Sequence, residues 1–191
     1  GVNVSTATGP FVVEGGMFGF NEPGQLYDFV VNTGDGEPSQ GIFLGTGFQD
    51  NYIELVLTQD GITFREEVAD VTMEQFSVTL GIDDRPQGGD GTVAFSLVVD
   101  PVAGTVQGQY SIDGGPLVSA GTISAEGEVL AAIQNAGTPL AVGLIGTSGA
   151  PEDLAEPNDD REFGATWDYL RVTGSAPSIA NPLPDLERFI D

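Results

Sequence analysis

The sequence predicts an all-β protein built as a two-sheet antiparallel sandwich with one short helix. Three observations carry that prediction. Period-two runs of alternating apolar and polar residues recur through the chain, while helical periodicity is nearly missing. Turn-forming residues bound these runs, with 28 Gly and 12 Pro in the chain. At 191 residues the chain is long for one small domain and short for two, a length all-β sandwiches commonly reach as one unit.

The expected strands, in order, are Phe11–Val13, Met17–Asn21, Gln25–Asn32, Gly41–Gly47, Tyr52–Thr58, Ile62–Ala69, Phe76–Ile82, Thr92–Val99, Thr105–Ile112, Leu117–Ile123, Leu140–Thr147 and Ala165–Thr173. That number of strands fits two stacked sheets. The helix is expected over Glu126–Asn135, where Val129, Leu130 and Ile133 sit at helical spacing and Gly137-Thr138-Pro139 stops it. Asp60-Gly61 is a hairpin dipeptide that pairs Tyr52–Gln59 with Ile62–Ala69. Asp100 to Gly104 and Asp113 to Gly115 supply two further turns, with Pro101 presetting φ and Gly104 a left-handed position.

Face assignment follows from alternation. In the first hairpin Ile53, Leu55, Leu57, Ile62, Phe64 and Val68 face the core, and Tyr52, Glu54, Val56, Thr63, Arg65 and Glu67 face outward. In the second, Val93, Phe95, Leu97, Val99, Val106, Tyr110 and Ile112 point inward. In the last strand Thr166, Asp168, Leu170 and Val172 share one face and Trp167, Tyr169 and Arg171 the other. Leu170 and Val172 make theirs the core face, which places Asp168 near the buried end of a strand.

Composition removes whole classes of function. Five basic residues, all Arg, stand against 29 acidic ones, for a formal charge of −24. Phosphate contacts need cationic side chains, so nucleic acid and anionic membrane are excluded as partners. No apolar run is long enough to span a bilayer, and no signal peptide is present. Without Cys there is no disulfide or thiol chemistry, and without His there is no Ser-His or Cys-His nucleophile pair. The acidic surface fits solubility in salty water, as in a marine or halophilic setting, and equally the binding of hard divalent cations. Gly1 is an unusual natural start, so the chain reads as a mature or excised piece of a longer one. Residues 1–174 form the sandwich, and 175–191, rich in Ser, Ala, Pro and Asn, form a linker or the start of a following domain.

The runs Val98 to Val106, Tyr110 to Gly115, Leu140 to Ile145 and Ala165 to Val172 keep a familiar order. With them the chain resembles the laminin G-like and concanavalin A-like jelly-roll domains of large bacterial surface and secreted proteins. The resemblance covers about Gly41 to Gly174. It implies a jelly roll whose concave face holds carbohydrate, an extracellular location, adjacent domains in the same chain, and often a structural calcium. In similar modules an Asp of the last strand helps bind that ion, and Asp168 is the matching position. Glu14 is the nearest N-terminal carboxylate to partner it. No loop follows the spaced pattern of an EF-hand.

Each candidate residue has a plainer alternative. Asp168 is either a calcium ligand or a carboxylate satisfied by backbone N–H groups. Asp83, Asp84 and Asp90 form either a second oxygen cage or a solvated loop. Trp167, Tyr169 and Arg171 either stack on and hydrogen-bond a sugar or cover the outside of the sandwich. Tyr52, Glu54 and Arg65 either bind hydroxyls or form a surface ion pair. The Glu-x-Asp-x-x-Glu signature of similar jelly-roll glucanases and the His/Tyr pair of the jelly-roll lyases are both missing. The sequence therefore points to a non-catalytic carbohydrate-binding, lectin-like module stabilised by calcium. Its alternative is a structural spacer or adhesion domain of an adhesin-like protein.

Overall fold

A computed structural model describes residues 2–4, 9–18, 39–58, 60–81, 84, 86, 90–147, 166–174 and 179–182. The described strands are β1 (Val2–Val4), β2 (Phe11–Phe18), β3 (Ser39–Gly45), β4 (Asn51–Thr58), β5 (Gly61–Val68), β6 (Val71–Thr79), β7 (Thr92–Asp100), β8 (Thr105–Ile112), β9 (Val118–Ser124), β10 (Leu140–Thr147), β11 (Thr166–Gly174) and β12 (Ile179–Pro182). The helix α1 spans Gly127–Ile133. They form a seven-stranded sheet in the order β12-β1-β10-β3-β4-β5-β6 and a five-stranded sheet in the order β11-β2-β7-β8-β9. Every pairing is antiparallel. The fold is the expected two-sheet sandwich of the jelly-roll kind. No described helix is long and apolar enough to cross a membrane.

Turn chemistry explains most of the strand ends. Asp100 Oδ1 accepts the N–H groups of Val102 and Ala103 at 2.9 and 3.0 Å, an Asx turn that returns the chain into β8. Gly104 closes that turn at φ +68. Asp113 and Gly114 both take positive φ between β8 and β9, and Asp113 Oδ1 also accepts the Thr92 N–H at 2.8 Å. The β4–β5 hairpin differs from expectation by one residue: Leu57 pairs Ile62, so Gly61 opens β5 instead of sitting inside the turn.

Other departures have local causes. The expected strands Phe11–Val13 and Met17–Asn21 are one strand, because Glu14, Gly15 and Gly16 pair on both sides, with β7 and β11. β6 begins at Val71, five residues before Phe76, because Ala69 and Asp70 both adopt positive φ and form a two-residue turn directly after β5. Asn51 Oδ1 receives the Ala69 N–H at 3.2 Å and fixes that turn. Ala-Asp carries no hairpin signal of the Asn-Gly type, so the sequence conceals it. The expected strand Gln25–Asn32 lies outside the described residues. Ile179–Pro182, within the expected linker, pairs with Val2–Val4 at the edge of the seven-stranded sheet.

The core lies between the sheets. Ile42, Leu44, Ile53, Leu55, Ile62 and Phe64 come from one sheet, and Phe11, Val13, Phe95, Leu97, Val99 and Val106 from the other. Burying each such side chain stabilises the fold by about 1.5–3 kcal/mol. Phe64 pairs Phe76 across β5 and β6, with ring centroids 6.2 Å apart. On the facing sheet Gly108 pairs Gly121. A Cβ on Gly108 would lie 2.9 Å from the Phe64 ring, and one on Gly121 would lie 2.7 Å from that of Phe76. The two rings therefore rest on a floor of bare backbone.

Candidate functional site

The outer face of the seven-stranded sheet carries the densest polar arrangement among the described residues. Cross-strand register sets it. Phe43, Glu54, Arg65 and Gln75 form one row across β3, β4, β5 and β6, and Gly45, Tyr52, Glu67 and Thr72 form the next. The Arg65 Nε donates to Glu54 Oε1 at 2.6 Å, and the Tyr52 hydroxyl donates to Glu67 Oε2 at 3.2 Å. Tyr52, Glu54 and Arg65, candidates from the sequence, thus stand side by side. Glu67 joins them through its register with Tyr52.

The setting is unusual for an outward face. Glu54 is only 1% exposed, and its buried Oε2 has no hydrogen-bond partner among the described residues. The Arg65 side chain retains 32% exposure. Burial raises the Glu54 carboxyl above its ordinary range, and Arg65 opposes that rise by charge and hydrogen bond. Burial, followed by the Glu54 charge, pushes the Tyr52 phenol up to about 12, so it stays a neutral donor. Around these groups β3 and β10 present Gly41, Gly45 and Gly143, leaving Phe43 as the bulky neighbour beside Glu54. The arrangement offers a part-exposed guanidinium fixed by a buried carboxylate, with a neutral tyrosine hydroxyl and an aromatic ring beside it. That set suits a ligand rich in hydroxyl groups.

The other candidates lie elsewhere. Tyr169 and Arg171 are on the outer face of the five-stranded sheet, the opposite side of the sandwich. There Arg171 pairs with Glu14, Nη2 to Oε2 at 2.9 Å and Nε to Oε2 at 3.0 Å, and its guanidinium lies 5.7 Å from the Tyr169 ring centroid. Trp167 does not share their face. The register of β11 on β2 shifts between Trp167, which pairs Met17, and Tyr169, which pairs Gly16. Asp168 is the extra residue of that β-bulge. It resets the alternation, so Trp167 packs on the core with Leu170 and Val172.

The same bulge corrects the placement of Asp168. It is exposed, not buried beside Leu170, and Glu14 faces Arg171 rather than Asp168. Asp84 and Asp90 are exposed, and Asp83 lies outside the described residues. Among the described residues no group of three or more Asp and Glu is arranged to hold a metal ion. The donors present thus do not fit the expected calcium pair of Asp168 and Glu14.

The face assignment from the sequence left out one inward carboxylate. Glu66 lies on the core face of β5, in line with Ile62 and Phe64, and is 1% exposed. Its Oε1 accepts the Glu126 N–H at 2.9 Å ahead of α1, and Oε2 has no partner among the described residues. Burial raises its pKa to about 7 against the pull of the Glu126 N–H. The period-two pattern of β5 already pointed Glu66 inward.

No protein-family model matches the chain, and no curated protein matches it. Several solved structures are similar in outline. Sheep galectin-11 in complex with glycerol shares 6% identity over 89% of this chain and 94% of its own, with a TM-score of 0.45. A GH131 β-glucanase catalytic domain from Podospora anserina shares 13% identity over 90% of this chain and 60% of its own, at a TM-score of 0.39. The CBM40 of a Ruminococcus gnavus IT-sialidase, bound to α2,6-sialyllactose, shares 12% over 70% of this chain and 64% of its own, at 0.37. At such scores these likenesses carry no argument about ligand or activity.

Proposed function

We propose that this domain is a non-catalytic carbohydrate-binding module of a secreted or cell-surface protein. Its site is the outer face of the seven-stranded sheet around Glu54 and Arg65. The observation that carries the proposal is the Arg65 guanidinium: its side chain keeps 32% exposure while the buried Glu54 carboxylate holds its Nε at 2.6 Å. A guanidinium fixed in this way presents its remaining N–H groups as charge-assisted donors to a ligand hydroxyl. Beside it the Tyr52 hydroxyl, its proton given to Glu67, keeps oxygen lone pairs, and the Phe43 ring offers an apolar face to the C–H side of a pyranose.

The test is retention on a panel of neutral and acidic polysaccharides, with reducing-end release followed in parallel. Retention without release supports the proposal. Release would make the domain a hydrolase, and absence of retention on every polysaccharide would leave the spacer role. A structural calcium is proposed separately and rests on the resemblance alone. It requires a rise in Tm with calcium that matched sodium does not give, since an ion that binds only the folded state stabilises it by mass action.

A further inference from the structure

The outer face of the five-stranded sheet holds a depression of about 340 Å³, at the small end of ligand sites, which run from about 300 to 1,000 Å³. Its floor is Gly16 and Ala94, partners across β2 and β7. Two exposed aromatics, Phe18 at 41% and Tyr169 at 38%, flank it. The Tyr169 ring lies over Gly16, where an added Cβ would come within 2.5 Å of it. The absence of a side chain at Gly16 is what lets the ring lie flat.

The polar rim is biased toward acceptors. Asp168 lines the depression from its bulge and makes no ion pair with a described residue. Ser111 also lines it, and its hydroxyl proton is committed to the Gly115 carbonyl at 2.7 Å, leaving oxygen lone pairs. The nearby cation, Arg171, is already neutralised by Glu14. An acceptor-rich rim, aromatic flanks and a chain of formal charge −24 all favour a cationic guest.

We propose that the depression between Tyr169, Phe18 and Asp168 binds an amine-bearing ring of sugar size, its ammonium on Asp168 and its C–H face on the aromatics. This site lies on the opposite face from Glu54 and does not depend on the function proposed above.

The test is calorimetric titration at fixed ionic strength with a glucosamine disaccharide and with its N-acetylated form, which keeps the skeleton and removes the charge. The amine form should bind at least about tenfold more tightly, the scale of a charge-assisted contact. Asp168→Asn should abolish that preference, and Gly16→Ala and Tyr169→Ala should weaken binding. Asp70→Asn, which removes one charge from an exposed turn, should leave it unchanged. Should Tyr169→Ala not fold, Asp168→Asn at its exposed bulge still decides the matter. No binding, equal binding of the two sugars, or equal losses in Asp70→Asn and Asp168→Asn would each overturn the proposal.

Discussion

At Glu54, removing one partner should harm the fold more than removing both. Arg65→Ala leaves a carboxylate of 1% exposure without its cation, and breaking such a pair destabilises by about 3–5 kcal/mol. Adding Glu54→Ala to it should restore part of that loss. Urea unfolding of the two single variants and the double variant measures the coupling, and simple additivity would show that the two groups do not interact. Glu66 gives a pH signature. Its folded pKa of about 7 lies above the ordinary 4.5, so its contribution is complete below 4.5 and is lost as pH rises through 7. The stability of wild type should therefore fall relative to Glu66→Gln between those values, by an amount on the order of 3 kcal/mol. Parallel curves would contradict the assignment.

At the scale of elements, the paired rings of β5 and β6 on the paired glycines of β8 and β9 tie the two sheets together. Gly108→Ala places a Cβ 2.9 Å from the Phe64 ring in a packed core. Overpacking of that kind costs about 1–3 kcal/mol, so the variant should lose that much stability by denaturant titration. A neutral result would mean the rings have room to move.

Element scale is also where the sequence was most and least legible. Alternation in β4, β5, β7 and β8 placed nearly every core residue, because β4 pairs with β5, and β7 with β8, in unbroken register. It failed at β11, where one extra residue, Asp168, inverts the face of Trp167, and an insertion of that sort leaves no mark on apolar periodicity. It failed again at Ala69-Asp70, whose conformation is imposed by its neighbours and not by its own preference. In the candidate site, Tyr52, Glu54 and Arg65 could be read from the sequence. The partnership of Tyr52 with Glu67, and the unmet Oε2 of Glu54, depend on register and burial that only the fold supplies.

For the whole molecule, the formal charge of −24 makes self-repulsion a general burden on the folded state. Sodium chloride should raise Tm as the screening length falls from about 10 Å at 0.1 M to about 3 Å at 1 M. A flat Tm would show the charges to be spaced too widely to matter. The same charge disfavours acidic glycans at long range, so neutral polysaccharides are the better expected ligands at low salt.

Recognition of a sugar hydroxyl at this face rests on Arg65, held in place by Glu54. Glu54→Gln keeps the shape and removes the charge. Affinity electrophoresis of wild type and Glu54→Gln in gels containing the retained polysaccharide tests the claim most directly, with thermal melts to confirm both are folded. The folded variant should lose about tenfold in affinity, because a guanidinium no longer fixed by a carboxylate makes a weaker charge-assisted contact. Equal retardation of the two proteins would contradict it and place sugar recognition, if any, away from this face.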